Sequence, residues 1–238
     1  MTATLKALIL DFNGTLCLDE PLLLSLYQRV LAEEGVVLPA AEYEAGYLGL
    51  SDAAIFAKAL TAAGRPAEAA KVAALVARKS RHYLEAIASR PPPAPGAAEF
   101  IRAASRRFRL AVASGAPRRE VEWVLRQADL RDCFAALVAM EDAERGKPDP
   151  APFLKALAGL NGGARPVDRI RPEECLVLED SLGGIRGARA AGMRVIGVAS
   201  TYPVERLGAE ADRAVPALAD LVPEELGRWF RSLSGTPG

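Results

Sequence analysis

Hydrophobic and polar positions follow two different patterns along this chain. Residues 5–12 form an almost continuous apolar run followed by a turn-forming pair, which predicts a short buried strand. Residues 21–34 instead place apolar side chains on one helical face, and 52–63 and 67–88 are further alanine-rich helical stretches. Residues 17–89 are therefore predicted to be all-helical.

The pattern changes after a proline-rich segment at residues 89–96. Its four prolines within five positions cannot continue a helix and favour a stiff, extended backbone, so we interpret the segment as a domain boundary. Beyond it, short apolar runs alternate with helical stretches, which predicts parallel strand pairing. The predicted strands are 109–113, 136–138, 175–178 and 194–198, and the predicted helices lie near 97–106, 117–128, 150–160 and 182–191.

The first strand has no partner unless it joins the sheet formed by the later strands. The simplest architecture is therefore an α/β fold with a doubly wound, mostly parallel sheet. We expect this core domain to comprise residues 1–16 and 90–238. An all-helical cap domain, residues 17–89, would be inserted after the first strand.

The overall charge narrows the classes of partner. Lys plus Arg and Asp plus Glu each number 30, so the chain has no net charge and no general attraction for nucleic acid or anionic membranes. We expect a small-molecule site instead. No stretch predicts a signal peptide or a membrane span, and the three scattered cysteines form no disulfide or zinc pattern. We expect a soluble cytoplasmic protein, as a monomer or a weak homodimer.

Polar groups follow each predicted strand, at the edge where parallel sheets bind ligands. Asp11 follows the first strand, Ser114 and Gly115 the second, and Glu179 and Asp180 the fourth. The third strand is followed by an acidic pair and then by the sequence G-K-P-D-P at 146–150.

These groups together indicate phosphoryl transfer. Asp11 is a candidate nucleophile, and Ser114 with the amides of a helix start can hold an anion. Lys147 supplies a positive charge, and adjacent acidic residues 179 and 180 suit a hard cation. Each group alone has an ordinary explanation, such as a turn, a helix cap or a solvated loop. Their occurrence at successive strand ends favours the functional interpretation.

The motifs resemble those of the haloacid dehalogenase (HAD) superfamily, in the branch of phosphoglycolate phosphatase and β-phosphoglucomutase. The resemblance covers nearly the whole chain and includes a small helical cap. It implies a Rossmann-like core and a magnesium-dependent phosphatase of small metabolites, such as a sugar phosphate or a phosphoglycolate-like ester. It rests on D-F-N-G-T-L at 11–16, S-G at 114–115, G-K-P-D-P at 146–150 and L-E-D-S-L-G-G-I-R-G-A-R-A-A-G-M at 178–193.

The resemblance also implies a role for each matching residue. Asp11 would form an aspartyl-phosphate, while Ser114 and Lys147 would bind and neutralise the transferring phosphoryl group. Mg²⁺ would be held by Asp11, the carbonyl of Asn13, Glu179 and Asp180. Substrate contacts would come from Thr15, Ser51, Lys79, Gly115 and Ala116.

The chain departs from the family at Asn13, where the family has an aspartate that acts as general acid and base. An amide has no proton to transfer at neutral pH, and such catalysis is typically worth about 10²–10⁴-fold. Several explanations stay open. The substrate could have a good leaving group, the residue could be an engineered trapping substitution, the chain could bind phosphometabolites with little turnover, or deamidation at Asn13-Gly14 could restore an aspartate.

Other activities of the superfamily fit less well. β-Phosphoglucomutase has an arginine in the cap loop where this chain has Asp52, which favours a phosphatase over a mutase. The acidic pair 179–180 argues against a dehalogenase. A phosphonate hydrolase needs an imine-forming cap lysine, and Lys58, Lys71 and Lys79 are weak substitutes. His82, the single histidine, is expected on a helix surface.

Overall fold

The computed structural model describes residues 3–89 and 93–233. The proline-rich boundary predicted at 89–96 is therefore only partly visible, since residues 90–92 lie outside the described residues. Within the described ranges, no helix combines the length and the apolar character needed to cross a bilayer.

Six strands form one sheet in which every neighbouring pair is parallel, which confirms the predicted doubly wound fold. The spatial order is β3-β2-β1-β4-β5-β6. The last strand, β6, has only three residues and was not predicted. The strands are β1 (Ala7–Leu10), β2 (Arg109–Ala113), β3 (Phe134–Val138), β4 (Cys175–Glu179), β5 (Arg194–Val198) and β6 (Arg213–Val215).

Of the five described helices between β1 and β2, the first four correspond to the predicted cap. They are α1 (Glu20–Ala32), α2 (Ala40–Gly46), α3 (Asp52–Ala62) and α4 (Ala69–Ile87). The chain leaves the core and re-enters it at adjacent points. The amide of Ala94 donates to the carbonyl of Leu16 at 2.8 Å, which joins the two segments. The division into domains at residues 16/17 and 89/90 stays a prediction.

The remaining helices cover the two faces of the sheet. They are α5 (Ala97–Ser105), α6 (Arg118–Gln127), α7 (Ala151–Leu160), α8 (Leu182–Ala190), α9 (Val204–Gly208) and α10 (Pro223–Ser232). Alternate residues of β1 enter different apolar clusters, with Leu8 and Leu10 on one face and Ile9 on the other. Covering both faces explains why β1 and β4 are almost entirely apolar.

The pairing of β1 with both neighbours brings three strand ends level with one another. Leu10 is opposite Val112 of β2 on one side and opposite Leu178 of β4 on the other. The residues that follow these positions therefore lie together at the carboxyl edge of the sheet, which is where parallel α/β sheets bind ligands.

Candidate active site

Three buried carboxylates meet where β1 and β4 end. Asp11 directly follows β1, Glu179 is the last residue of β4, and Asp180 comes next. One carboxylate oxygen from each lies within 4.8 Å of the others, and none of the three residues is more than 6% exposed. Such a set of oxygen donors fits a hard divalent cation.

Burial and mutual repulsion both act on these carboxylates. Removal from water raises the pKa of Glu179 to about 7, and the charge of Asp11 adds to the increase. The pKa of Asp180 is also raised, first by burial and then by the charges of Glu179 and Asp11. A bound cation would favour the ionised forms again, which is a further respect in which this cluster fits a metal ion.

Lys147, in the loop between β3 and α7, compensates part of this charge. Its ammonium contacts the Asp11 carboxylate and lies 3.0 Å from Oε2 of Glu179. Burial alone would lower the pKa of the ammonium, but the charges of Asp11 and Glu179 raise the pKa above its ordinary value. Lys147 is therefore a permanently charged group beside the predicted nucleophile.

The first turn of α8 fixes the position of Glu179. The hydroxyl of Ser181 donates to Oε1 of Glu179 at 2.8 Å and accepts from the amide of Gly184 at 3.0 Å. A Cβ at Gly184 would overlap the Glu179 carboxyl group. Glycine at this position lets the carboxylate lie directly against the helix.

We expect Gly184→Ala to weaken Mg²⁺ binding by about 10–100-fold, because the new methyl group would displace the Glu179 carboxylate. Isothermal titration calorimetry with Mg²⁺ would measure the change. Gly183→Ala is the matched control, since a Cβ at Gly183 meets nothing within 4 Å. An equal loss of affinity in both variants would contradict this account of Gly184.

Asp180 is held by two hydroxyl groups. Thr15 donates to Oδ1 at 3.3 Å, and Thr201, which follows β5, donates to Oδ2. Gly14 packs against the same carboxylate in a left-handed conformation with φ 74°, and a Cβ there would overlap Asp180. Thr15 was predicted to contact substrate, but the structure buries it completely and places its hydroxyl on Asp180. The contribution of Thr201 was not predicted.

The side chain of Asn13 is directed to a carboxylate that the sequence did not reveal. Its Nδ2 donates to Oδ2 of Asp19 at 2.9 Å, and the hydroxyl of Tyr83 donates to the same oxygen at 2.6 Å. Burial raises the pKa of Asp19 to about 7 even though both hydrogen bonds oppose the increase. Asp19 precedes α1 and belongs to no motif, so only the fold identifies it.

We expect Asp19→Asn to flatten the pH dependence of stability. The pKa of Asp19 is 3.8 without the folded environment and about 7 within it, so the folded state binds more protons and the free energy of unfolding falls as pH rises between these values. The full effect is on the order of 4 kcal/mol. Asparagine keeps an acceptor for both donors without the charge.

Urea unfolding of both proteins at pH 5 and pH 8 measures this effect. The natural chain should lose more stability than Asp19→Asn between the two pH values. Equal losses would show that ionisation of Asp19 is not what destabilises the folded state at high pH.

The hydrogen-bond donors predicted to hold an anion after β2 are only partly free to do so. The Ser114 hydroxyl accepts from the amide of Ala116 at 3.0 Å. Pro117 is the N-cap of α6 rather than its first residue, and the first amide of the helix, at Arg118, donates to Glu141 at 3.0 Å. Ser114 and Gly115 nevertheless line a recess beside Lys147, whereas Ala116 does not.

The cap meets the core at this recess. The amide of Asp52 donates to the carbonyl of Gly115 at 3.3 Å, and a Cβ on Gly115 would come within 3.0 Å of Cα of Ser51. Ser51 is the N-cap of α3 and lines the recess opposite Ser114. Ser51, which the resemblance predicts to contact substrate, therefore lies where the cap meets the core.

The resemblance predicts that Lys79 contacts the substrate. In the structure, however, Lys79 does not line the cavity that contains Asp11. Its ammonium is fully buried, 3.0 Å from Asp52 of the cap and 2.9 Å from Glu120 of the core helix α6. These two carboxylates hold it behind the cavity wall, which explains the difference. His82 pairs with exposed Glu85 on the surface of α4, as expected.

Known proteins resemble the chain in both sequence and structure. Residues 5–192 match the family of haloacid dehalogenase-like hydrolases. Protein CbbY of Rhodobacter capsulatus is 31% identical over 90% of this chain and 99% of its own length. The phosphoglycolate phosphatase of Thiobacillus denitrificans is 28% identical over 91% and 93%. The structure of CbbY from Rhodobacter sphaeroides in complex with phosphate superimposes with a TM-score of 0.77 at 27% identity, covering 91% of this chain and 96% of CbbY.

A parallel α/β core with inserted cap helices and a cluster of carboxylates defines the class of this protein as a capped phosphohydrolase. The chain belongs to the haloacid dehalogenase-like hydrolases, which confirms the resemblance seen in its motifs. It is a phosphoric monoester hydrolase of that family, in the branch that includes phosphoglycolate phosphatase.

Proposed function

We propose that this chain hydrolyses phosphomonoesters of small metabolites in the presence of Mg²⁺, through an aspartyl-phosphate on Asp11. The observation that carries the proposal is the convergence of Asp11, Glu179 and Asp180 within 4.8 Å, with the ammonium of Lys147 against two of them. A nucleophilic carboxylate, oxygen ligands for a cation and a fixed positive charge are the parts that this reaction needs.

In the first step, a carboxylate oxygen of Asp11 attacks phosphorus while the bond from phosphorus to the ester oxygen breaks. Lys147 compensates negative charge on the nucleophile and on the transferring group. Asp11, Glu179, Asp180 and the carbonyl of Asn13 would hold Mg²⁺, which would supply further charge neutralisation to the phosphoryl oxygens.

In the second step, water attacks phosphorus and the bond between phosphorus and Asp11 breaks, which releases phosphate and restores the carboxylate. Asn13 can neither protonate the departing ester oxygen nor accept a proton from the water. The proposal therefore predicts fast first steps only for good leaving groups and slow loss of phosphate from Asp11.

The names of the relatives support a phosphorylated carbohydrate as the substrate. One is a phosphorylated carbohydrates phosphatase of Thermotoga maritima, 28% identical over 93% of this chain and 96% of its own length. CbbY from Rhodobacter sphaeroides binds phosphate in its crystal structure. The substrate of this chain is proposed at the level of that class.

Phosphate release from a panel of sugar phosphates and short-chain phosphate esters, with Mg²⁺ and with EDTA, tests the proposal. We expect slow hydrolysis that requires Mg²⁺. Binding of the same esters without any phosphate release would instead favour the low-turnover binding role that Asn13 leaves open. Conversion of β-glucose 1-phosphate to glucose 6-phosphate would favour the mutase, against which Asp52 argues.

A further inference from the structure

The cavity beside Asp11 continues beneath the cap helices and has an unusual charge distribution. Five of the described residues that line it are carboxylates, and Lys147 is the one cation among those lining residues. Lys147 already contacts Asp11 and Glu179. A second anionic group on the substrate would therefore find no free positive charge within this cavity among the described residues.

Two of the five carboxylates lie on the cap side, away from the metal-type cluster. Glu20 is the first residue of α1, and Asp52 is the first residue of α3. The rest of the cap-side lining consists of one glycine, two tyrosines and apolar side chains, namely Gly49, Tyr27, Tyr43, Leu23, Leu48, Leu50 and Ile55. The leaving group of a phosphomonoester held at Asp11 would occupy this part of the cavity.

Glu20 has one oxygen in use and no ion-pair partner among the described residues. Its Oε1 accepts from the hydroxyl of Tyr43 at 2.5 Å, and no described lysine or arginine forms an ion pair with it. Burial raises the pKa of Glu20, and the charge of Asp11 adds to this although the Tyr43 hydrogen bond opposes it. An ammonium group on the substrate would relieve this unfavourable environment.

The surroundings of Asp52 do not add a positive charge that could balance Glu20. Asp52 accepts from the hydroxyl of Tyr27 at 2.6 Å and pairs with Lys79 at 3.0 Å. Lys79 is shared with Glu120, so a single ammonium faces two carboxylates. Burial raises the pKa of Glu120, in keeping with incomplete compensation.

No described arginine lines this cavity. Arg206 lines a neighbouring groove that Glu20 also lines, and its guanidinium there is 4.6 Å from the centre of the Tyr202 ring. It does not line the cavity that contains Asp11. A short leaving group within that cavity would therefore meet Glu20 before it could approach Arg206.

We propose that the preferred substrate is a phosphomonoester whose leaving group carries an amino group and no second anion, with Glu20 as the residue that selects it. This inference rests on the proposed phosphatase function and names the substrate class. The ammonium of the substrate pairs with the free oxygen of Glu20, while a carboxylate or second phosphate at the same place is repelled.

Two matched sets of esters test the proposal. One set is 2-aminoethyl phosphate, 2-hydroxyethyl phosphate and phosphoglycolate, whose leaving groups carry a cationic, a neutral and an anionic group, respectively, at the same distance from phosphorus. The other is glucosamine 6-phosphate, glucose 6-phosphate and 6-phosphogluconate. We expect kcat/KM with Mg²⁺ to be at least about tenfold higher for the amine than for the anion in at least one set, since hydrogen bonds between charged groups are the strong ones.

The variant Glu20→Gln should remove this preference, so that the ratio of kcat/KM for the amine to kcat/KM for the neutral ester falls towards one. Glu85→Gln is the matched control, because Glu85 is an exposed residue of the cap, its side chain 72% accessible. Glu85→Gln should keep the preference of the natural chain. An anion hydrolysed as well as the amine in both sets, or a preference unchanged in Glu20→Gln, would overturn the proposal.

Calorimetric binding of the same esters separates this inference from the proposed function. If no ester is hydrolysed but the amine binds most tightly and Glu20→Gln abolishes that difference, the phosphatase proposal fails and the selection by Glu20 stands. If the esters are hydrolysed with Mg²⁺ but without an amine preference, the function stands and the selection by Glu20 fails.

Discussion

Replacement of Asn13 by aspartate should raise the rate of phosphate-ester hydrolysis by about 10²–10⁴-fold. The new carboxyl group would face Asp19, since Nδ2 of Asn13 lies 2.9 Å from Oδ2 of that residue. Two carboxyl groups this close share a proton, and burial already raises the pKa of Asp19 to about 7. A protonated acid would thus be available near neutral pH.

The gain should depend on the leaving group. Hydrolysis of glycerol phosphate should increase strongly, whereas 4-nitrophenyl phosphate should increase less in its first step because its leaving group needs little protonation. Asn13→Thr, which adds no carboxyl group, is the control and should stay slow. Peptide mass spectrometry must show intact asparagine in the natural chain. A natural chain with intact Asn13 that matches Asn13→Asp on glycerol phosphate would contradict the prediction.

The core of the fold was predictable because the central strands are continuous runs of apolar residues. All residues of β1 are buried and apolar, and β4 differs only at Glu179, where the site begins. Short elements escaped prediction for the opposite reason. The strand β6 has three residues, of which only Val215 is buried, and α2 has a single buried residue, Tyr43. Such elements form because their neighbours supply the packing.

The residues of the site were predictable where they end a strand or directly follow one. Asp11, Glu179 and Asp180 follow or end neighbouring strands, so the parallel sheet brings them together. Asp19 and Thr201 could not be found in this way, because their roles come from tertiary contacts. Asp19 accepts from a tyrosine 64 residues away, and Thr201 donates to a carboxylate 21 residues away.

Lys79 shows where a correct resemblance still misplaces a side chain. The family match put a lysine near the substrate, but the position of its ammonium depends on which carboxylates surround it. In this chain Asp52 and Glu120 hold the Lys79 ammonium away from the cavity. The sequence contained both partners, but only the packing of α3, α4 and α6 places them around one ammonium.

Asp11→Asn should reduce hydrolysis by about 10⁴-fold or more, because a neutral amide cannot replace the carboxylate as a nucleophile. The same change removes one oxygen of the metal-type cluster and leaves Lys147 with Glu179 as its remaining carboxylate partner. Because Asn13 gives no base for the second step, the natural chain should release 4-nitrophenol in a burst stoichiometric with the enzyme, followed by slow turnover. The variant should show neither phase.

Rapid-mixing kinetics with 4-nitrophenyl phosphate and Mg²⁺ would measure the burst, and mass spectrometry of the quenched protein would locate the phosphoryl group. Asp168→Asn is the matched control, since Asp168 is a surface aspartate whose side chain is 49% accessible and pairs only with Arg165 among the described residues. It should retain the full burst. Thermal unfolding of both variants would show whether they are folded. A folded Asp11→Asn protein that still gives a burst would place the nucleophile at another residue, because an amide side chain cannot form the acyl phosphate that this mechanism requires.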